Sequence, residues 1–243
     1  MRKITFIGAL SLVTAMPAAA GFGDIVSSFP IPAQVPASDA LTWDGTYLWV
    51  CHRMGTYFFR LTTTGSLLSS FRIYPGGGMY NFEGAAFDGQ YLWCSDHYYQ
   101  PWPGFVIYRC LTTSGSLVRT FGHPPYPLYY AGMTYQPGYL WGERFKYNMA
   151  GSLVSSFVMP FPLGDLAWDG HYLWAGNKQL TTDGSFVASF ALPPSALTDQ
   201  TSGGTTFDGN YLWITLGSWA YQFDINVTGV DSGSFGKIKA LYR

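Results

Sequence analysis

The segment Trp43-Asp44-Gly45-Thr46-Tyr47-Leu48-Trp49 recurs from Phe87 to Trp93, from Trp168 to Trp174 and from Phe207 to Trp213, with a worn copy from Tyr135 to Trp141. Its closing tryptophans are 33 to 48 residues apart, so one supersecondary unit is used five times. In each unit an apolar stretch meets an Asp-Gly turn, and a second apolar stretch ends in Leu-Trp. A variable segment and a third stretch follow, then a turn such as Thr64-Gly65, Ser114-Gly115 or Asp183-Gly184, and a fourth stretch. Asp-Gly between β-formers is a strong hairpin signal, because its central positions need positive φ.

Tyr47 and Trp49 would lie on one face of the second strand, Leu48 and Val50 on the other. Both faces are apolar, as in a sheet packed between two others. The last unit supplies only three strands. The missing one is at the other end of the chain, where Gly23 to Phe29 matches Gly151 to Phe157 almost residue for residue. The expected fold is an all-β, five-bladed β-propeller of four-stranded antiparallel blades, its ring closed by the N-terminal strand. The blades fall at residues 40–74, 84–122, 132–160, 165–192 and 204–229, the last completed by 23–31. The same strand given to a neighbouring molecule would make a filament instead.

Arg2 and Lys3, the apolar run from Ile4 to Met16, and Ala18-Ala19-Ala20 read as a signal peptide over residues 1–20. Export follows, to the periplasm, the cell surface or the medium. No later run is long enough to span a bilayer. Without the signal the chain keeps 11 basic and 14 acidic residues, with no basic cluster outside its last seven, which disfavours nucleic acid as partner. The tail 230–243 has no blade pattern and carries Lys237, Lys239 and Arg243; it reads as a strap across the last blade or as an attachment segment.

Propeller geometry puts the Asp-Gly and Thr-Gly turns on one uniform face, and the segments between strands two and three, with the inter-blade connections, on the other. Binding concentrates on irregular loops held by a rigid scaffold. Trp102 and Trp219 stand outside the repeat on that irregular face, as candidates to stack on a ligand. The only two glutamates, Glu83 and Glu143, fall there too, with Arg53 and Arg144 in matching loops. They read as ion pairs or, alternatively, as a general acid or base. His97 completes the proposed ligand-binding set, and His52, His97 and His123 form an alternative metal set. Cys94 and Cys110 flank one hairpin and suit a disulfide; Cys51 would be free or would pair with Cys94. No cofactor motif is present.

At Leu166-Ala167-Trp168-Asp169-Gly170-His171-Tyr172-Leu173-Trp174 the chain resembles secreted bacterial propellers related to the glutamine cyclotransferases and, more loosely, the YVTN and YWTD-like propellers. The resemblance spans all five blades. It implies a five-bladed fold and, for an enzyme, a channel-mouth glutamate that helps cyclise N-terminal glutamine. The Phe-Thr-Gln-Gly and Glu-Ser-Thr-Gly phrases that carry that activity are absent, and Asn81-Phe82-Glu83-Gly84 is the nearest trace. Three functional readings follow. The first is a non-enzymatic secreted propeller that binds a glycan or protein; the second is a self-associating surface or filament subunit; the third is a cyclotransferase-like enzyme using Glu83 or Glu143.

Overall fold

The computed structural model describes residues 21–35, 40–52, 57–73, 80–98, 105–123, 132–158, 161, 164–194 and 202–226. For Tyr80, Asn81, His97, Tyr98, Phe105, His123 and Ser202 it describes the backbone only. The strand β1 (Ile25–Pro30) precedes blade 1, which is β2 (Ala40–Trp43), β3 (Leu48–His52), β4 (Tyr57–Leu61) and β5 (Leu67–Arg72). Blade 2 is β6 (Tyr80–Phe87), β7 (Leu92–Tyr98), β8 (Phe105–Leu111) and β9 (Leu117–His123). Blade 3 is β10 (Met133–Gln136), β11 (Tyr139–Gly142), β12 (Phe145–Asn148) and β13 (Leu153–Ser156). Blade 4 is β14 (Leu166–Trp168), β15 (Leu173–Ala175), β16 (Lys178–Leu180) and β17 (Phe186–Ser189). In blade 5, β18 (Ser202–Phe207), β19 (Tyr211–Leu216) and β20 (Trp219–Asp224) are completed on the outside by β1. The chain is a five-bladed β-propeller that closes its own ring, with β1 antiparallel to β20 and Phe29 opposite Ala220. The expected closure by the N-terminal strand holds within the chain.

The Asp-Gly turn is fixed by its aspartate. In blade 1 Asp44 Oδ1 accepts the backbone N–H of Thr46 at 2.9 Å and of Tyr47 at 2.7 Å, and Oδ2 accepts the indole N–H of Trp49 at 2.7 Å. Asp88, Asp169 and Asp208 repeat the arrangement with Trp93, Trp174 and Trp213. In the worn copy Gln136 Oε1 takes over, accepting from the Trp141 indole at 3.0 Å. Each tryptophan is thereby buried without an orphaned donor, in one of five apolar layers between neighbouring blades.

A second repeated contact joins the blades at their periphery. Gly115, at φ +91°, turns the chain into β9 with no room for a side chain, because a Cβ there would stand 2.5 Å from the ring of Phe71 in blade 1. That ring packs on Trp49 of its own blade, centroids 5.8 Å apart. The same triplet of glycine, phenylalanine and tryptophan recurs at every boundary: Gly151 with Phe121 and Trp93, Gly184 with Phe157 and Trp141, Gly23 with Phe190 and Trp174, Gly65 with Phe29 and Trp213. The N-terminal segment supplies Gly23 to one neighbour and Phe29 to the other. It therefore carries both contacts that close the ring.

Candidate functional site

The antiparallel order of each blade puts the Asp-Gly turns at one end of the ring and the turns between second and third strands at the other. At this irregular end, blades 3, 4 and 5 use two-residue turns: Glu143-Arg144, Gly176-Asn177 and Gly217-Ser218. Gly176 and Gly217 both adopt φ +56°. Glu143 holds the equivalent position at φ +54°, and among the described residues it is the sole non-glycine in the left-handed region. Such a position costs an L-residue about 1 kcal/mol or more. Its backbone N–H donates to Gly132 O at 2.7 Å, which anchors the turn to the inner strand of its own blade.

The Glu143 side chain is buried, at 7% exposure, within electrostatic reach of Tyr108 of blade 2 and Tyr147 of blade 3. The two phenol rings are 5.2 Å apart, and Gly142 lies so close to Tyr108 that a Cβ there would stand 2.1 Å from its hydroxyl oxygen. Burial raises the pKa of Tyr108, and Tyr147 and the Glu143 carboxylate add to the rise. Tyr147 is raised by burial and by Glu143, with Tyr108 pulling the other way.

Glu83 sits in blade 2 where the register between β6 and β7 shifts from Phe82 to Gly84. A bulge of this kind re-aims one side chain out of the alternation. Glu83 is 5% exposed. One step away, the fully buried Asp96 accepts from Arg109 Nε at 3.1 Å and from its terminal nitrogen at 2.9 Å, a two-point pair across β7 and β8. This pair is not among the residues that the sequence singles out. The sequence signal for it is faint: Arg109 stands where blades 1, 3 and 5 carry Phe59, Phe145 and Tyr221, but the position of Asp96 holds His52, Arg144 and Asn177 in blades 1, 3 and 4.

The remaining candidates are dispersed. Arg144 places its guanidinium 5.0 Å from the centre of the Phe145 ring, and Trp219 opens β20 with 42% of its surface exposed. His52 ends β3 opposite Tyr57, while His97 and His123 both lie opposite Val106 in neighbouring strands of blade 2. No group of three histidine, cysteine or acidic residues suited to a metal occurs among the described residues. Arg53, Trp102 and the tail 230–243 lie outside the described residues.

The expected disulfide is corrected. Cys94 lies opposite Arg109 and Cys110 opposite Trp93, so the two thiols point to opposite faces of the blade. Cys94 enters the layer shared with blade 1 and Cys110 the layer shared with blade 3. All three cysteines are free and buried, including Cys51, so the alternative Cys51–Cys94 bridge is not formed either. Burial, reinforced by Asp96, pushes the Cys94 thiol well up, which suits a core side chain and not a nucleophile.

No protein-family model and no curated protein matches the sequence. Among solved structures, the chain is similar to a calcium-binding protein, regucalcin, from Agrobacterium tumefaciens, with TM-score 0.50 and 12% identity over 88% of this chain and 98% of that one. It is also similar to streptogramin B lyase, with TM-score 0.41 and 12% identity over 82% and 98% of the two chains. At such identity the likeness is one of fold. This chain is a β-propeller whose irregular face differs from blade to blade.

Proposed function

We propose that the protein is an exported, non-enzymatic propeller that binds a glycan or protein partner on its irregular face, above blades 2 and 3. The observation that supports this most directly is the polar group of Glu143, Tyr108 and Tyr147 between blades 2 and 3. It is built once, at the junction of two blades, while the uniform face repeats one hydrogen-bonded turn around the ring. Buried polar groups and a side chain kept in a glycine conformation cost stability, and such costs collect at binding sites. Trp219 and the irregular loops extend the face. Export rests on the basic, apolar and small-residue pattern of residues 1–20.

The experiment is a screen of the purified chain on glycan and peptide arrays, with Glu143→Gln as the site variant and His171→Ala, in an Asp-Gly turn of the uniform face, as control. The expected result is a ligand whose affinity falls about tenfold, or about 1.4 kcal/mol, in Glu143→Gln and holds in His171→Ala. Release of ammonia from a peptide with N-terminal glutamine, lost in Glu83→Gln, would replace binding by cyclotransfer.

A further inference from the structure

We infer that the axis of the ring is an anion-binding site, suited to a small carboxylate, which the chain fills with its own Asp165 side chain. The innermost strand of each blade is a sheet edge. Backbone N–H groups on that edge point toward the axis with no partner strand, and buried away from water they must find an acceptor. Three of the other four blades each give one N–H to the same carboxylate of blade 4. Asp165 Oδ2 accepts from Leu41 of blade 1 at 2.9 Å and from Thr205 of blade 5 at 3.0 Å; Oδ1 accepts from Met133 of blade 3 at 3.1 Å. The N–H of Leu166, the next residue along in blade 4, lies close enough to favour the charged carboxylate as well. Leu41, Met133, Leu166 and Thr205 occupy one position of the repeat, two residues before the aromatic that precedes the turn.

The position just before these donors holds Ala40, Gly84, Gly132, Asp165 and Gly204 in the five blades. Neighbouring inner strands approach so closely that a Cβ on Gly132 would stand 2.2 Å from Gly164 O, and one on Gly204 2.2 Å from Leu41 N. At this repeat position the axis therefore has room for one functional side chain, and Asp165, only 2% exposed, supplies an acceptor of the right charge. Burial pushes the pKa of this carboxyl well above the usual carboxylate range, and the backbone donors, which stabilise its charge, offset only part of that rise. Since both oxygens already accept N–H bonds, the geometry favours the ionised form. The carboxylate acts as a hub that ties blades 1, 3, 4 and 5 to one point, so a ligand of the irregular face is held away from the axis at this level.

Asp165→Gly removes a group the size of acetate and installs the residue that three other blades use. The melting temperature should fall by about 10 °C or more as the amides lose their acceptor. Acetate at neutral pH should restore it along a saturating curve, by about 3–6 °C at ten times its Kd. Acetamide, of the same shape but uncharged, and sodium chloride at equal concentration should not. Asp165→Asn, which turns an NH2 toward converging N–H donors, should melt below the wild type and ignore acetate, because the space is filled. If Asp165→Gly is recovered only by refolding, its yield in acetate against acetamide reads the same comparison. Wild-type melting of either variant, or restoration by acetamide as good as by acetate, would overturn the inference.

Discussion

Tyr108 and Tyr147 are the residues whose chemistry departs furthest from that of a free side chain at the candidate site. Both phenols have folded-state pKa values above their ordinary value of 10, with burial as first cause and the Glu143 carboxylate contributing. A raised pKa means that the neutral form is favoured by folding. The stability linked to it is fully present below pH 10 and is lost as the pH rises from there toward the folded-state values. Spectrophotometric titration should show two tyrosines ionising late and together with unfolding, and Tyr108→Phe should remove one of them. Glu143 offers a separate reading of strain. Glu143→Gly and Glu143→Ala both delete the carboxylate and differ only in the backbone preference at φ +54°, so the glycine variant should be the more stable by about 1 kcal/mol in urea unfolding. The sequence placed both glutamates on the irregular face. It could not show that Glu143 lies within electrostatic reach of two tyrosines, one of them from the preceding blade, since that proximity depends on how blades pack.

At the scale of the strand and turn, the repeated glycines do two different jobs. Gly89 has φ +96° and open space around it, whereas Gly115 has φ +91° and the Phe71 ring against it. Gly89→Ala should therefore cost only the backbone term, about 1 kcal/mol, while Gly115→Ala should cost about 3 kcal/mol or more, because packing is added to it. Chemical denaturation of the two variants measures the difference. This is also where the sequence was most and least informative. The Asp-Gly-x-Tyr-Leu-Trp phrase revealed strands, turns and blade number, because its signals are local. The glycine before the outer strand looked like one more turn residue; its second duty, as a seat for the previous blade's phenylalanine, is non-local. For the same reason the nearly symmetrical Cys94 and Cys110 suggested a bridge that the register forbids: strand partners share a face, and here each cysteine is partnered by another residue.

The molecule as a whole is a ring whose first strand is its last. Gly23 and Phe29 make the two boundary contacts on either side of the closing strand, so removing residues 21–31 should strip blade 5 of its outer strand and uncover the edge of β20. Light scattering should then show more association than for the full-length chain, and a synthetic peptide of residues 21–31 should reverse it. The proposed function gives the two faces of this scaffold unequal roles: substitutions in the repeated turns of the uniform face should act on stability alone, and those at the junction of blades 2 and 3 on recognition. The direct measurement is the affinity for the best array ligand of two sets of folded variants, Thr46→Arg and His171→Ala on the uniform face against Glu143→Gln and Trp219→Ala on the irregular face. A loss of tenfold or so confined to the second set is the predicted result; a loss confined to the first set would contradict the assignment of function to the irregular face.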